Sequence, residues 1–336
     1  MTLQIDNDKI GQLPSRRGDR GNVLKHPGLH NTVWAFGGGK GGVGKSFVTV
    51  NTAVLLTKMS KKVLIVDADL GAANLHTLVG AESTRYSLSA FMSGNVKDFA
   101  SLVTKTPIPN LEIVSGDRDS LDSAIYSSKK IERLRDGLRH VDHDYILLDT
   151  GPGTAPLQLD ILLSAEETIL ISTGEPTSIE NTYRLMKCLF IRKMRKVMKN
   201  QKSGELENLL KKVFSTSSPT KIKKFGDIFF ALHQLDPEQE EYLRAAMEHS
   251  GVSLLFNNCT HAEDARLGPL IKRGCQDYFD IETGYLGFIQ NDEAVTESVR
   301  NRTPLVVHNG GAPAAHSLNT CLQRLLLNAR RQAMAL

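Results

Sequence analysis

The stretch Phe36-Gly-Gly-Gly-Lys-Gly-Gly-Val-Gly-Lys-Ser46 decides the fold of this 336-residue chain. It contains the pattern G-x-x-x-x-G-K-S, which begins at Gly39 and ends at Ser46, between a short hydrophobic run and a segment of helical character. Its glycines allow consecutive backbone N–H groups to turn towards an anion, and the N-terminus of the following helix adds partial positive charge. Lys45 can contact outer phosphates and the Ser46 hydroxyl can bind Mg²⁺. The stretch therefore predicts a phosphate-binding loop.

Short hydrophobic runs alternate with longer helical segments along most of the chain. The runs are residues 32–36, 63–66, 111–114, 145–148, 168–172, 252–256 and 285–289. Most are continuously apolar, as expected for strands covered on both faces. The alternation predicts an α/β fold, a doubly wound and mostly parallel sheet with helices on both faces, whose ligands bind at the carboxyl ends of the strands.

The domain organisation is predicted from where the alternation of hydrophobic runs and helical segments begins and where it is interrupted. Residues 1–31 are polar and lack a period, which predicts a flexible N-terminal tail. Residues 32–336 are predicted to form a single domain, with a basic helical insertion at about residues 178–250.

Carboxylates follow two of the predicted strands. Asp67 and Asp69 come directly after the second run, and Asp149 ends the fourth run before a Gly-Pro-Gly segment. A carboxylate just past a strand end stands where an attacking water and a metal ion would lie, although a solvated turn explains the Asp67–Asp69 pair as well. Ser46 and Asp149 are therefore predicted ligands of Mg²⁺, with Asp149 acting through water or by holding Ser46.

A second lysine, Lys40, precedes the usual lysine of the loop. A cation at this position can reach across a dimer to the partner's phosphates, as an arginine finger does. The sequence K-G-G-V-G-K-S resembles the deviant Walker A loop of the MinD/ParA superfamily of P-loop ATPases, and Lys40 matches that family's signature lysine. The resemblance implies that Asp69 orients the hydrolytic water. It also implies that Asp67 begins the switch I segment beside the metal, as a third ligand of Mg²⁺.

The same resemblance extends to roughly residues 33–307. It implies that an Asn at the end of a late strand binds adenine. Asn257 is the best match and Asn258 the alternative, while Asn74 would hold Asp69 or the water. The implied nucleotide-binding residues are Gly39, Lys40, Gly41, Gly42, Val43, Gly44, Lys45, Ser46 and Asn257.

The stretch Glu175-Pro-Thr-Ser-Ile is similar to a segment of the FlhG/FleN branch of that family. The resemblance implies a switch that binds ATP and Mg²⁺, forms an ATP-dependent homodimer and hydrolyses ATP slowly. Its implied task is to control the placement or number of a flagellum or polar site through a protein partner. A D-Q-A-x-x-L-R element, which that branch uses to stimulate its GTPase partner, is missing from the N-terminal tail.

Residues 184–224, which begin with Arg184 and end with Lys224, contain 13 basic and 2 acidic residues, although the whole chain carries only +4. A solvated helix face explains this charge, and so does a docking surface for an acidic protein, a membrane or DNA, with Arg192, Lys193 and Lys196 as its test residues. The C-terminal residues 318–336 are amphipathic. They are predicted to form a final helix packed on the sheet, with a membrane-targeting helix as the alternative.

Three other functions share the loop. MinD-type division-site and ParA-type chromosome-partitioning ATPases remain alternatives, and iron–sulfur carriers of the family need a C-x-x-C pair. The four cysteines, Cys188, Cys259, Cys275 and Cys321, form no such pair, which predicts that the chain holds no structural metal. We expect a cytoplasmic protein, with peripheral contact at the inner face of the membrane as an open alternative.

Overall fold

A computed structural model describes residues 31–71, 73–82, 86–116, 127–200, 224–260 and 262–334. Within these ranges the chain forms an eight-stranded sheet in the order β3-β4-β2-β5-β1-β6-β7-β8. The strands are β1 (Thr32–Gly37), β2 (Val63–Ala68), β3 (Thr104–Lys105), β4 (Leu111–Val114), β5 (Tyr145–Thr150), β6 (Glu167–Ser172), β7 (His249–Cys259) and β8 (Glu282–Gln290). Neighbouring strands are parallel except for β3, which pairs antiparallel with β4 at the edge. The predicted fold class is confirmed.

Helices cover both faces of this sheet. They are α1 (Lys45–Lys58), α2 (Leu75–Leu78), α3 (Leu88–Ser93), α4 (Ser128–Arg139), α5 (Pro156–Leu162), α6 (Pro176–Asn200), α7 (Asp227–Leu235), α8 (Pro237–Glu248), α9 (Ala262–Phe279), α10 (Glu293–Arg300), α11 (Leu305–His308) and α12 (Pro313–Met334). Among the described ranges, no helix has the length and apolar character that crossing a membrane requires.

Two hydrophobic cores lie on opposite faces because successive side chains of a strand point to opposite sides. In β5, Ile146 and Leu148 belong to the core beneath α3 to α9, whereas Leu147 belongs to the core beneath α1 and α10 to α12. All three side chains are fully buried. This two-sided burial is the reason that the strands read as continuous apolar runs.

Strand register brings the predicted site residues to one edge of the sheet. Asp149 of β5 pairs with Phe36 of β1 on one side and with Asp67 of β2 on the other. The phosphate loop leaves β1 at this edge, and α1 begins from it at Lys45. The loop and the carboxylates therefore meet at the carboxyl ends of the strands, where ligands bind in sheets of this kind.

Helix α6 carries a buried apolar face, as its periodicity predicts: Met186, Phe190 and Val197 are each at most 1% exposed. Its basic residues differ from expectation. Arg192 and Lys196 both contact the buried carboxylate of Asp160 in α5, at 2.5 Å and 2.6 Å.

Lys193 is only 5% exposed, because α6 turns this side chain into the core beneath the sheet. The prediction of an exposed docking surface is therefore wrong for Arg192, Lys193 and Lys196. Arg184 and Arg195 of the same helix are exposed, and residues 201–223 of the basic stretch lie outside the described residues.

The two ends of the chain were predicted to be a packed C-terminal helix and a flexible N-terminal tail. The final helix α12 buries Leu318, Leu322 and Leu325 beside β8 and α1, which confirms the prediction of a final helix packed on the sheet. Of the predicted N-terminal tail, residues 1–30 lie outside the described residues. Asn31 is buried, and its side-chain amide donates to the carbonyl of Leu138 over 3.0 Å.

Candidate nucleotide-binding site

The phosphate loop is shaped by close backbone approaches. A Cβ atom at Gly39 would lie 2.3 Å from the backbone of Asn181 in α6, so only glycine fits there. Gly44 has a φ of 90°, a left-handed conformation that glycine adopts without a steric penalty. Gly41 and Gly42, at the crest of the loop, are exposed. The loop is thus packed at its base and open at its crest, where an anion would bind.

The start of α1 meets the end of β5 through a short hydrogen bond. The Ser46 hydroxyl donates to a carboxylate oxygen of Asp149 over 2.5 Å. The Thr49 hydroxyl, one turn further along α1, lies 3.4 Å from the other carboxylate oxygen and also lies 3.0 Å from the Lys45 carbonyl, its shorter acceptor. The sequence motifs indicate Ser46 and Asp149 but not Thr49, whose only signal is its place four residues after Lys45 on the same helix face.

Asp67 lies beside Asp149 at the end of β2. Its carboxylate accepts hydrogen bonds from the backbone N–H groups of Leu75, over 3.0 Å, and Asp69, over 3.3 Å. Burial raises the pKa of Asp67 to about 7, and the charge of Asp149 adds to the increase. Burial also raises the pKa of Asp149 to about 6, although the Ser46 hydroxyl and Lys45 counteract it.

These oxygens form a donor set that suits Mg²⁺. A hydroxyl and two carboxylates on neighbouring elements are hard oxygen ligands, the type that this ion prefers. Asp67 and Asp149 are buried side by side at the strand ends, and burial is the main cause that raises the pKa of both carboxyls. A divalent cation would compensate their negative charges, so Ser46, Asp67 and Asp149 fit the metal that the loop implies.

Asp69 is half-buried and lies beside the loop that follows β5. Its carboxylate oxygen is 3.1 Å from the position that a Cβ atom would take at Gly151, and the Gln158 amide nitrogen is 3.3 Å from the same position. No motif of the sequence indicated Gln158. The loop also contacts the phosphate loop, because the Gly153 N–H donates to the Gly38 carbonyl over 3.0 Å. Asn74 lies exposed immediately before α2.

The two lysines of the loop have different surroundings. Lys45 is buried at 8% exposure, at the start of α1. The Lys40 side chain is 46% exposed, and its ammonium lies 3.2 Å from a carboxylate oxygen of Glu175 just before α6. Lys45 therefore belongs to the chain's own site, whereas Lys40 lies on the surface beside it.

Asn257, at the end of β7, also contacts the phosphate loop. Its side-chain amide donates to the Val43 carbonyl over 2.9 Å. The next residue, Asn258, accepts a hydrogen bond of 2.5 Å from the side-chain amide of Asn291, which follows β8. The structure thus brings Asn257 to the site, but in contact with the loop backbone.

A parallel sheet with a glycine-rich loop, a Lys-Ser pair at the start of a helix and a carboxylate at the adjacent strand end defines a P-loop NTPase. A family model described as "ParA: NUBPL iron-transfer P-loop NTPase" matches residues 30–228, more than half of the chain. The chain belongs to the ParA/MinD family of P-loop NTPases.

Individual relatives carry different functions. The septum site-determining protein MinD of Helicobacter pylori is 34% identical over 149 residues, covering 44% of this chain and 55% of its own length. The iron-sulfur cluster carrier protein of Methanocaldococcus jannaschii is 37% identical, covering 42% and 49%. The antiactivator FleN of Pseudomonas aeruginosa is 32% identical, covering 47% and 56%. The chain thus spans about half the length of the curated relatives it matches.

Solved structures show the same fold over a longer span. MinD of Pyrococcus horikoshii, solved in complex with Mg-ADP, has a TM-score of 0.59 at 21% identity and covers 90% of this chain and 98% of its own. At this identity the similarity establishes the fold, and the site residues rest on the contacts described above.

Proposed function

We propose that this protein is an ATP-dependent switch that binds ATP with Mg²⁺, dimerises and hydrolyses ATP slowly. The observation that carries the proposal is the contact of Ser46 with Asp149 beneath a loop that holds one buried and one exposed lysine. Ser46, Asp149 and the buried Lys45 complete a site for a nucleotide and its metal ion. The exposed Lys40 is the group that can contact a nucleotide bound to a second copy of the chain.

The residues of the site have different roles in hydrolysis. The loop N–H groups and Lys45 bind the phosphates, while Ser46, Asp67 and Asp149 would hold Mg²⁺, which neutralises phosphate charge when bound. Asp69 orients a water and accepts its proton as the water oxygen bonds to the γ-phosphorus. The bond from that phosphorus to the β–γ bridging oxygen breaks, and the products are ADP and inorganic phosphate.

Lys40 is assigned to the partner's nucleotide. Its ammonium lies beside Glu175, and nearly half of the side chain is exposed. A cation from a second subunit stabilises the charge that develops on the transferred phosphoryl group, as arginine fingers do. In this arrangement the dimer forms only with ATP, and hydrolysis removes the contacts that hold it together.

The oligomeric state of the variants distinguishes the role of Lys40 from that of Asp69, whereas the rate of ATP hydrolysis does not. We expect both Lys40→Ala and Asp69→Ala to lose hydrolysis by about 10²–10⁴-fold. With ATP and Mg²⁺, size-exclusion chromatography should show a monomer for Lys40→Ala and a persistent dimer for Asp69→Ala. Lys45→Ala is the control for nucleotide binding and should lose it in calorimetry. A fully dimeric Lys40→Ala variant, or a fully active Asp69→Ala variant, would refute the corresponding role.

We place the biological role in positioning a flagellum or polar site through a protein partner. The FleN relative and the Glu175-Pro-Thr-Ser-Ile segment support it. The Asp69→Ala protein, trapped as a dimer with ATP, should capture this partner in a pulldown, and Lys40→Ala should not. Capture of a division-site protein instead would favour the MinD-type role, which the H. pylori relative supports. DNA binding that weakens steeply with salt would favour chromosome partitioning.

Iron–sulfur transfer is the second candidate, because the family model and the M. jannaschii relative carry that description. The cysteines of this chain do not favour it. Cys259, Cys275 and Cys321 are buried and Cys188 is half-buried, each on a different element. Reconstitution with iron and sulfide under reducing conditions tests this candidate, and a stable cluster absorption spectrum would support it.

A further inference from the structure

Gln158 lies in the first turn of α5, shortly after the loop that follows β5. Helical side chains lean towards the N-terminus of their helix, and this one reaches back to the loop. Its amide nitrogen is 3.3 Å from the position that a Cβ atom would take at Gly151, and a carboxylate oxygen of Asp69 is 3.1 Å from the same position. The donor end of the amide and the carboxylate therefore face the same small space.

Gly151 keeps this space open. Its φ is not positive, so the backbone conformation does not by itself require glycine. A Cβ atom there would lie closer to both polar groups than side-chain carbons usually approach their neighbours. Glycine at this position therefore lets Asp69 and Gln158 converge.

The two ends of the Gln158 amide have different surroundings. Its oxygen is buried, and no residue among those that the structure describes gives it a hydrogen bond. A buried acceptor without a partner opposes folding, whereas an apolar side chain of the same length would avoid this cost. The amide is therefore not explained by stability, which directs attention to its N–H donors beside Asp69.

The carboxylate of Asp69 needs such a donor. Within the described part of the chain, no hydrogen bond or ion pair restrains its two oxygens, and only the backbone N–H of Asp69 is bonded, to Asp67. A carboxylate that rotates freely presents a water with either oxygen in many directions. Orienting it raises the share of molecules in which the attacking water is correctly placed.

We propose that Gln158 is a positioning residue for hydrolysis, which donates an N–H to one oxygen of Asp69 and so directs the other oxygen at the water. The proposal rests on the ATPase function proposed above and adds a residue to it. A hydrogen bond to an ionised group is among the stronger ones in proteins, and an uncharged amide orients the carboxylate without forming an ion pair with it. Gln158 affects the attack only through Asp69, so nucleotide binding does not depend on it.

A double-mutant cycle tests the proposal. ATP hydrolysis with Mg²⁺ is measured for the wild type, Gln158→Met, Asp69→Ala and the double variant. Gln158→Met keeps the length of the side chain without its hydrogen-bonding atoms, and should lower kcat by about 10–100-fold at an unchanged KM for ATP. In the Asp69→Ala background the same substitution should have no further effect, because the group on which Gln158 acts is already absent.

Thermal unfolding provides the second readout. Gln158→Met should leave the Tm unchanged or raise it, because the substitution removes a buried oxygen that has no partner among the described residues. Gln234→Met is the matched control, since it makes the same substitution at an exposed position of α7. It should change neither kcat nor the Tm.

Three outcomes would overturn the proposal. The first is an unchanged kcat in Gln158→Met, and the second is the same loss of kcat with and without Asp69. The third is a lower Tm that accompanies the loss, since a structural role would then explain both. Gln158→Leu gives the same comparison if the methionine variant does not fold. A wild-type protein that hydrolysed no ATP would contradict the proposed ATPase function, and this proposal with it.

Discussion

Asp67 is a residue whose burial opposes folding in the absence of a cation. Its side chain is 1% exposed, and its pKa is raised from 3.8 to about 7. Between these two pH values the folded state binds more protons than the unfolded state. The contribution of Asp67 to stability therefore falls as the pH rises from about 4 to about 7, and is then constant.

We expect Asp67→Asn to stabilise the metal-free protein at pH 8 by roughly 2–3 kcal/mol, because a neutral amide avoids the buried charge. The amide retains the bond from Leu75 but opposes the longer one from Asp69. At pH 5 the gain should largely disappear. Urea denaturation with EDTA at both pH values measures the difference, with the fully exposed Asp142→Asn as control. An equal effect at pH 5 and pH 8 would contradict the burial argument.

In the proposed dimer, Glu175 competes with the partner's nucleotide for Lys40. The pair is exposed on both sides, with side-chain exposures of 46% and 64%. An exposed ion pair contributes at most about 1 kcal/mol, which corresponds to roughly a 5-fold change in an equilibrium constant. Glu175 can therefore adjust dimerisation but cannot prevent it.

Accordingly, Glu175→Gln should strengthen the proposed ATP-dependent dimer by no more than about 30-fold, because each of the two subunits loses one such pair. Analytical ultracentrifugation with ATP and Mg²⁺ measures the dimer dissociation constant. Glu180→Gln is the matched control, since Glu180 pairs with Arg184 on the exposed side of α6 and should leave the constant unchanged. A weaker dimer in Glu175→Gln would show that Glu175 supports the interface.

At the scale of elements, Asp160 joins α5 to α6. Its carboxylate is 3% exposed and accepts two bonds from Arg192 and one contact from Lys196. Removing the carboxylate leaves partly buried cations without compensation, at a cost of about 3–5 kcal/mol.

Asp160→Asn should therefore lower the free energy of unfolding by about that amount, measured by urea denaturation. Asp136→Asn is the control, because the exposed pair of Asp136 with Arg139 should contribute less than about 1 kcal/mol. If Asp160→Asn left the free energy of unfolding unchanged, water would be compensating the charges of Arg192 and Lys196 in the variant. Docking tests on α6 should accordingly target Arg184 and Arg195.

The elements also show how far the sequence could predict the structure. The long strands and the phosphate loop were predictable because their residues are contiguous and their patterns strong. The two-residue strand β3 has no such pattern. The partner of Arg192 was not predictable, because Asp160 lies 32 residues away and only packing brings them together. For the same reason, the sequence indicated Asn257 as a site residue but not its contact with Val43.

The whole molecule depends on α12 to complete the second core. Leu322 of α12 is 2% exposed, whereas Leu327 of the same helix is 53% exposed. A helix that only targeted a membrane would not need the buried residue for folding. The two leucines therefore distinguish structural from peripheral roles of this segment.

Leu322→Ala should lower the free energy of unfolding by about 2–5 kcal/mol, as loss of a buried leucine does elsewhere. Leu327→Ala, an exposed position, should change it by less than about 0.5 kcal/mol. Thermal unfolding of both variants provides the comparison. Similar, small effects would indicate that α12 contributes little to the core.

The bond from the Gly153 N–H to the Gly38 carbonyl has a consequence for how this protein can be studied. It joins the loop after β5 to the phosphate loop through main-chain atoms alone. A movement of one loop therefore acts directly on the other, with no side chain between them. Alanine scanning would not detect this connection, because it leaves the backbone donor intact. Replacing the amide with an ester at this one bond would interrupt the signal while every side chain stayed in place.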